Sequence, residues 1–199
     1  PAKYETQPDG AAGHCPDVWV SDLYSAQRGH GADWQICLAH QLRDLQFAID
    51  AGDSIFAPRL KALIKHAIDI GHRRPALAPA TLKQYRHKLE RCLDAIMVTQ
   101  PTTKDGRRLR KRYLAERSHL FTFISDPEVP PTNNGSERDL RPSVIFRKVT
   151  NGFRSEWGAH CYAAIRSVID TGRRHNIDPF DAVRRTLAGN PVYAIAEPS

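Results

Sequence analysis

The sequence has little of what would place it in an oxidising or membranous setting. Its four cysteines, at 15, 37, 92 and 161, show no CxxC spacing. No secretory leader precedes them, and the apolar runs are far too short to cross a bilayer. These absences exclude a disulfide scaffold and a helical membrane protein, and they point to a reduced, cytoplasmic chain. There is neither an internal repeat nor a low-complexity tract. The first residue is proline instead of methionine, and PAKYETQPDGAAGHCP is turn-like without an apolar period, so the start reads as a cut inside a longer chain.

What is present is a chain of 199 residues with a formal charge of +7 and a pI near 9.4, long enough for one domain with a hydrophobic core. The positive excess is concentrated. KDGRRLRKRYLAER, 104 to 117, holds seven basic residues against two acidic ones. Such a density suits several simultaneous phosphate contacts, and it equally suits a solvated helix face.

VWVS, 18 to 21, reads as a strand ending at Asp22. Trp34, Leu38, Leu42, Leu45 and Ile49 then recur at helical spacing. SIFAPRLKALIKHAIDI continues in that style, with Ser54 or Asp53 as cap and Gly71 as stop. A third helix is expected from about Ala80 to Met97, and a fourth, strongly basic one from about Arg107 to Phe123. DPEVPPTNN, 126 to 134, is a rigid proline-rich loop. Beyond it the pattern predicts a short helix near 134 to 140, a strand over SVIFRKV, a turn at Asn151-Gly152 and a helix ending by Asn176. A last helix is capped by Asp178, with Pro179 in its first position and Gly189 at its end. This order describes an α/β core (1–33 and 126–199) interrupted by an all-helical insertion (34–125).

Two carboxylates stand where chemistry collects. Asp22 directly follows a strand, and the carboxyl ends of strands in open α/β sheets face ligand crevices; an Asx turn or helix cap explains the same residue. Glu137 lies in TNNGSERDLRP, where Asn134 and Glu137 have capping-box spacing. A glutamate in the first turn of a helix can also face a metal. Both readings stay open for both residues.

WVSDLYSAQ, ICLAHQLRDL and TNNGSERDLRPSVIFRKVTNGFRSEWGAHCYAAIRSVIDTGRRHNIDPFDAV, taken in order, resemble the DDE transposases of the insertion sequence 66 family. The likeness runs from residue 18 to about 185 and is strongest from Thr132 to Asp181. It implies a ribonuclease H-like core whose acidic triad binds two magnesium ions, cuts the phosphodiester at transposon ends and joins the freed 3′ hydroxyl to target DNA. It also implies double-stranded DNA as partner and a nucleoid-associated protein of a bacterial cytoplasm; whether the chain works as a homo-oligomer is left open. By position, Asp22 corresponds to the second aspartate of the triad and Glu137 to its glutamate. The first aspartate of the family lies on an earlier strand. Asp9 and Asp17 sit in turn-like settings, so neither takes that place, and the chain resembles a transposase fragment whose core is incomplete at its N-terminus. The alternative function is then a catalytically inactive DNA-binding fragment, and a further one is a helical interaction domain.

Cys37 and His40 lie three apart on one helical flank, close enough to share an ion. Zinc asks for about four ligands, and His14 with Cys15 is the other pair at hand. The resemblance adds that C-x-x-H followed by an arginine, here Arg43, supports the active site or the DNA in related transposases; Asp44 could pair with Arg43 or with the basic block. Arg108, Arg110 and Lys111 of the basic block, and Arg138, Arg141, Arg147, Lys148 and Arg154 near Glu137, are the candidate phosphate contacts. Arg138 has a local surface pair with Asp139 as its alternative. Of Phe153, Trp157 and Tyr162, two are spaced like core residues, so packing is expected rather than stacking on bases; Ser155, with Trp157 and Gly158, is expected to open the helix, where free amides could also meet a phosphate.

Overall fold

A computed structural model describes residues 17–24, 29 and 31–192. Within them the chain is largely helical, with one small two-stranded parallel sheet. It divides into two compact units, one ending at Asn134 and the other beginning at Gly135.

In the first unit β1 (Val18–Ser21) pairs in parallel with β2 (Asp33–Ile36), Val18 opposite Asp33 and Ser21 opposite Ile36. Four longer helices follow: α1 (Leu38–Asp50), α2 (Phe56–Arg73), α3 (Pro79–Val98) and α4 (Lys104–Glu116). The short α5 (Thr122–Ser125) closes the set. α1 packs on α2 and α4, and α3 packs on α2 and α5. The shared core includes Ile36, Leu38, Leu45, Phe56, Leu60, Ile64, Leu89, Leu93, Leu109 and Phe123. Burial of each such side chain contributes about 1.5–3 kcal/mol, which is why the apolar stripes dictate where these helices lie.

Four local differences from the sequence pattern have physical causes. Trp34, expected on a helix, lies in β2; its period matched the helix that begins only at Leu38. Gly71, expected to stop α2, lies inside it. Its missing side chain serves a close approach instead, since a Cβ there would come within 3.0 Å of the Phe123 ring and 3.2 Å of Pro131. The expected continuous helix from Arg107 to Phe123 breaks after Glu116 into a 3-10 turn (Arg117–His119) and α5. The buried amide of Gln35 imposes that break: it donates to the Leu120 carbonyl at 3.1 Å and accepts the Phe123 N–H at 3.0 Å, taking two groups that an unbroken helix would use itself. Asp53 does cap α2, its Oδ1 accepting the N–H of Phe56 at 2.9 Å and of Ala57 at 3.2 Å.

The second unit consists, among the described residues, of three helices: α6 (Asn134–Thr150), α7 (Glu156–Arg174) and α8 (Pro179–Leu187). The fourth difference is here. SVIFRKV is not a strand but the second half of α6, which continues through Pro142. Helical spacing turns Phe146 onto Tyr162 of α7, with ring centroids 4.8 Å apart, and onto Phe153 at 5.1 Å. An isolated strand would leave its backbone groups without sheet partners. The expected turn is present as the helix terminus, with Asn151 and Gly152 at φ of 57° and 100°. α7 and α8 meet where Gly172 faces Ala182; a Cβ on Gly172 would lie 2.7 Å from the Ala182 methyl. Ser155 and Asp178 cap α7 and α8 as expected. No helix among the described residues is long and apolar enough to cross a membrane.

Candidate active site

The carboxyl end of the parallel sheet brings two sequence-predicted groups together. Cys37 donates its backbone N–H to the Ser21 carbonyl at 2.7 Å, which carries the register of β1 and β2 one step further. Asp22 and Cys37 therefore leave adjacent strands at the same end. Asp22 is half-buried, and its Oδ1 accepts the Tyr24 N–H at 3.0 Å. That is the Asx turn the sequence allowed for, and it occupies one carboxylate oxygen.

Cys37 is fully buried and occupies the extended position just before α1. One turn on, His40 is half-buried, and Arg43 Nη2 stands 3.4 Å from His40 Nε2. Thiol, imidazole and guanidinium thus lie along one flank of α1, as their spacing of three predicts. Asp44 pairs with Arg112 of the basic block.

The stretch from Phe123 to Asn133 is strapped against this same end. Leu38 donates its N–H to the Pro131 carbonyl at 3.0 Å, and the Asn133 N–H points to Cys37 Sγ at 3.2 Å. Further back, the Arg74 guanidinium donates to the carbonyls of Asp126 at 2.7 Å and Val129 at 2.9 Å, and to those of Phe123 and Pro127. Gln35 and Arg74 carried no recognisable signal in the sequence. Gln35 sat in an apolar period, and Arg74 stood in an ordinary basic helix end.

The remaining residues fall as follows. Asp17 is exposed at the opposite end of β1 from Asp22, where its carbonyl accepts the Asp33 N–H at 2.8 Å; it cannot share a site at the carboxyl end about 16 Å away. Asp9, His14 and Cys15 lie outside the described residues. Cys37, Cys92 and Cys161 form no disulfide.

In α4, Arg108 and Lys111 are exposed. Arg110 instead donates to the Met97 carbonyl at the end of α3, at 2.7 Å, and Arg117 pairs with Asp94 at 2.7 Å.

In the second unit Glu137 is half-buried in the first turn of α6, whose first residue is Asn134. Arg138, Arg141, Arg147, Lys148 and Arg154 are exposed. Arg147 and Lys148, expected on opposite faces of a strand, are neighbours on a helix, about 100° apart. Asp139 pairs with Arg174 of α7 and not with Arg138. Arg138 and Arg141 edge a groove of about 520 Å³ over Ile145, Phe146, Val149 and Tyr162. Phe153 and Tyr162 pack as expected, whereas Trp157 is 77% exposed.

An aspartate and the start of a C-x-x-H helix stand together at the carboxyl end of the parallel strand pair of the first unit, and in the second unit a glutamate lies in the first turn of α6. The chain matches the transposase IS66 family over residues 4–161 and belongs to it. It is also 31% identical over 74 residues to the uncharacterized protein y4qI of Sinorhizobium fredii, an alignment spanning 37% of this chain and 14% of that protein. No solved structure matches the chain.

Proposed function

We propose that this chain is the part of a DDE-type transposase that binds DNA and supplies two carboxylates, Asp22 and Glu137, to a metal-dependent strand-transfer site on a ribonuclease H-like core. By itself it binds DNA without cutting it efficiently. The observation that carries this reading is the placement of Asp22 at the carboxyl end of β1, beside the start of the C-x-x-H helix. Family membership supports the role in transposition.

The donor atoms suit magnesium in kind. Asp22 and Glu137 are half-buried, and hard carboxylate oxygens are what this ion takes. They do not suit it in number. Two ions about 3.5–4 Å apart need several shared oxygen ligands, and two carboxylates are few for two ions. Bound magnesium would act as a Lewis acid on the scissile phosphate. The chain's own part is to hold two carboxylates for it, and to place exposed arginines of α6 and α4 against the DNA backbone.

A softer donor pair exists in Cys37 and His40 on one flank of α1: one thiol and one imidazole. It suits zinc better than magnesium.

Gel-shift and nicking assays on the 199-residue chain, with and without magnesium, test the reading. Salt-sensitive DNA binding without efficient nicking is expected. Efficient magnesium-dependent cleavage would show that the described carboxylates are not two thirds of a site but enough for one, and absence of DNA binding would leave only the helical interaction domain.

A further inference from the structure

The Arg74 side chain is turned to the 123–129 stretch and not to its own helix end. Its guanidinium reaches the carbonyls of Phe123, Asp126, Pro127 and Val129. Phe123 lies in the short α5, and the other three acceptors belong to the proline-rich segment after it, where the carbonyls find no ladder or helix partner. Arg86 adds one more tie, to the Ser125 hydroxyl. The strap then runs to Pro131, bonded to the Leu38 N–H, and to Asn133, bonded to Cys37 Sγ. Four residues beyond Asn133 stands Glu137.

We infer that Arg74 is a positioning residue for Glu137. By gripping four carbonyls of the strap it fixes the path of 123–133 past the carboxyl end of the sheet, and so fixes where the glutamate-bearing helix starts. The inference rests on the proposal that Glu137 is a metal ligand. An arginine suits the task because its planar fork presents several donors in fixed directions and stays charged at all ordinary pH. The strap's other ties are the bonds to Arg86, Leu38 and Cys37 and the burial of Val129. A strap carrying three prolines (Pro127, Pro130 and Pro131) has fewer amides with which to bond itself in place.

The test uses Arg74→Met, Arg74→Lys and Glu137→Gln in the 199-residue chain. Three quantities are read: thermal unfolding, hydrogen exchange at the Leu38 and Asn133 amides, and Mn²⁺ affinity by calorimetry. Arg74→Met is expected to leave the helical core folded and to speed exchange of the Asn133 amide at least about tenfold. Mn²⁺ affinity should fall about 10- to 100-fold, as it does when groups that orient metal ligands are removed. Arg74→Lys should recover part of both, since an ammonium still offers three donors. Glu137→Gln should lower Mn²⁺ affinity and leave exchange at Asn133 unchanged.

Unaltered exchange at Asn133 in a folded Arg74→Met protein overturns the inference. So does faster exchange with undiminished Mn²⁺ affinity, provided Glu137→Gln lowers it. If Glu137→Gln leaves Mn²⁺ binding untouched, the metal reading of Glu137 fails separately, and exchange at Asn133 alone decides whether Arg74 holds the strap. If Arg74→Met unfolds the chain, Arg74→Lys carries the same exchange and Mn²⁺ criteria.

Discussion

Cys37 gives its backbone N–H to the Ser21 carbonyl at 2.7 Å. This one bond places the residue after β1, Asp22, and the start of the C-x-x-H helix side by side at the end of the sheet. In sequence they are fifteen positions apart, and nothing in their spacing says that they meet.

If Asp22 and Glu137 are metal ligands, Asp22→Asn and Glu137→Gln introduced into the complete transposase will abolish magnesium-dependent nicking of a transposon-end duplex. DNA affinity should change less than about threefold, because neither carboxylate contributes an attractive contact to phosphate. Nicking at the parental rate by either variant would remove that residue from the site.

The basic helix separates into two kinds of arginine and lysine. Arg108→Gln combined with Lys111→Gln should lower DNA affinity and reduce the slope of log K against log salt by about 2, with the melting temperature preserved. Arg110→Gln should instead cost stability, about 1–2 kcal/mol, since its guanidinium caps the Met97 carbonyl. A salt titration beside a thermal melt distinguishes the two effects; an unchanged salt slope in the double variant rules out that DNA contact.

Asp53 and Gly106 form a packing pair that constrains both α2 and α4. Asp53 is fully buried and caps α2, and a Cβ on Gly106 would overlap its Oδ2 and lie 2.7 Å from Pro101 Cβ. Gly106→Ala is therefore expected to destabilise the first unit by about 1–3 kcal/mol, despite alanine's better helix propensity. Asp53→Ala should cost about 1–2 kcal/mol through loss of the cap. Urea denaturation checks both, and a stabilised Gly106→Ala protein would contradict the close approach.

Tyr113 gives the pH dependence. Its ring is buried in the core, and burial pushes its phenol well above the ordinary value of 10.0. The folded state keeps the proton where the unfolded chain releases it. The associated stability is fully present below pH 10 and declines as pH rises above it. Replacing Tyr113 by Phe should flatten the fall in stability measured between about pH 9.5 and 11; an identical fall in the variant would assign it to other groups.

Most of the helical insertion could be read from apolar spacing, because α1, α2 and α3 each bury one continuous stripe and a stripe is a property of neighbouring residues. Caps were readable for the same reason: Asp53, Ser155 and Asp178 bond amides two to four positions away. Where the reading failed, a distant group had intervened. Gln35 took a carbonyl and an amide from around residue 120 and broke a helix. The aromatic packing of Phe146 on Tyr162 and Phe153 made a helix of a segment rich in strand-forming residues.

The sequence by itself determined the positive charge, the helical periods, the local caps and the motifs that mark Asp22, Cys37, His40 and Glu137 as residues of interest. Only the tertiary structure decided that Asp22 and Cys37 leave one sheet end together, that Arg74 holds the strap leading to Glu137, and that Arg110 braces a helix. Local patterns arise from interactions within a few residues, whereas these contacts join segments far apart in the chain, whose meeting depends on how the whole core closes.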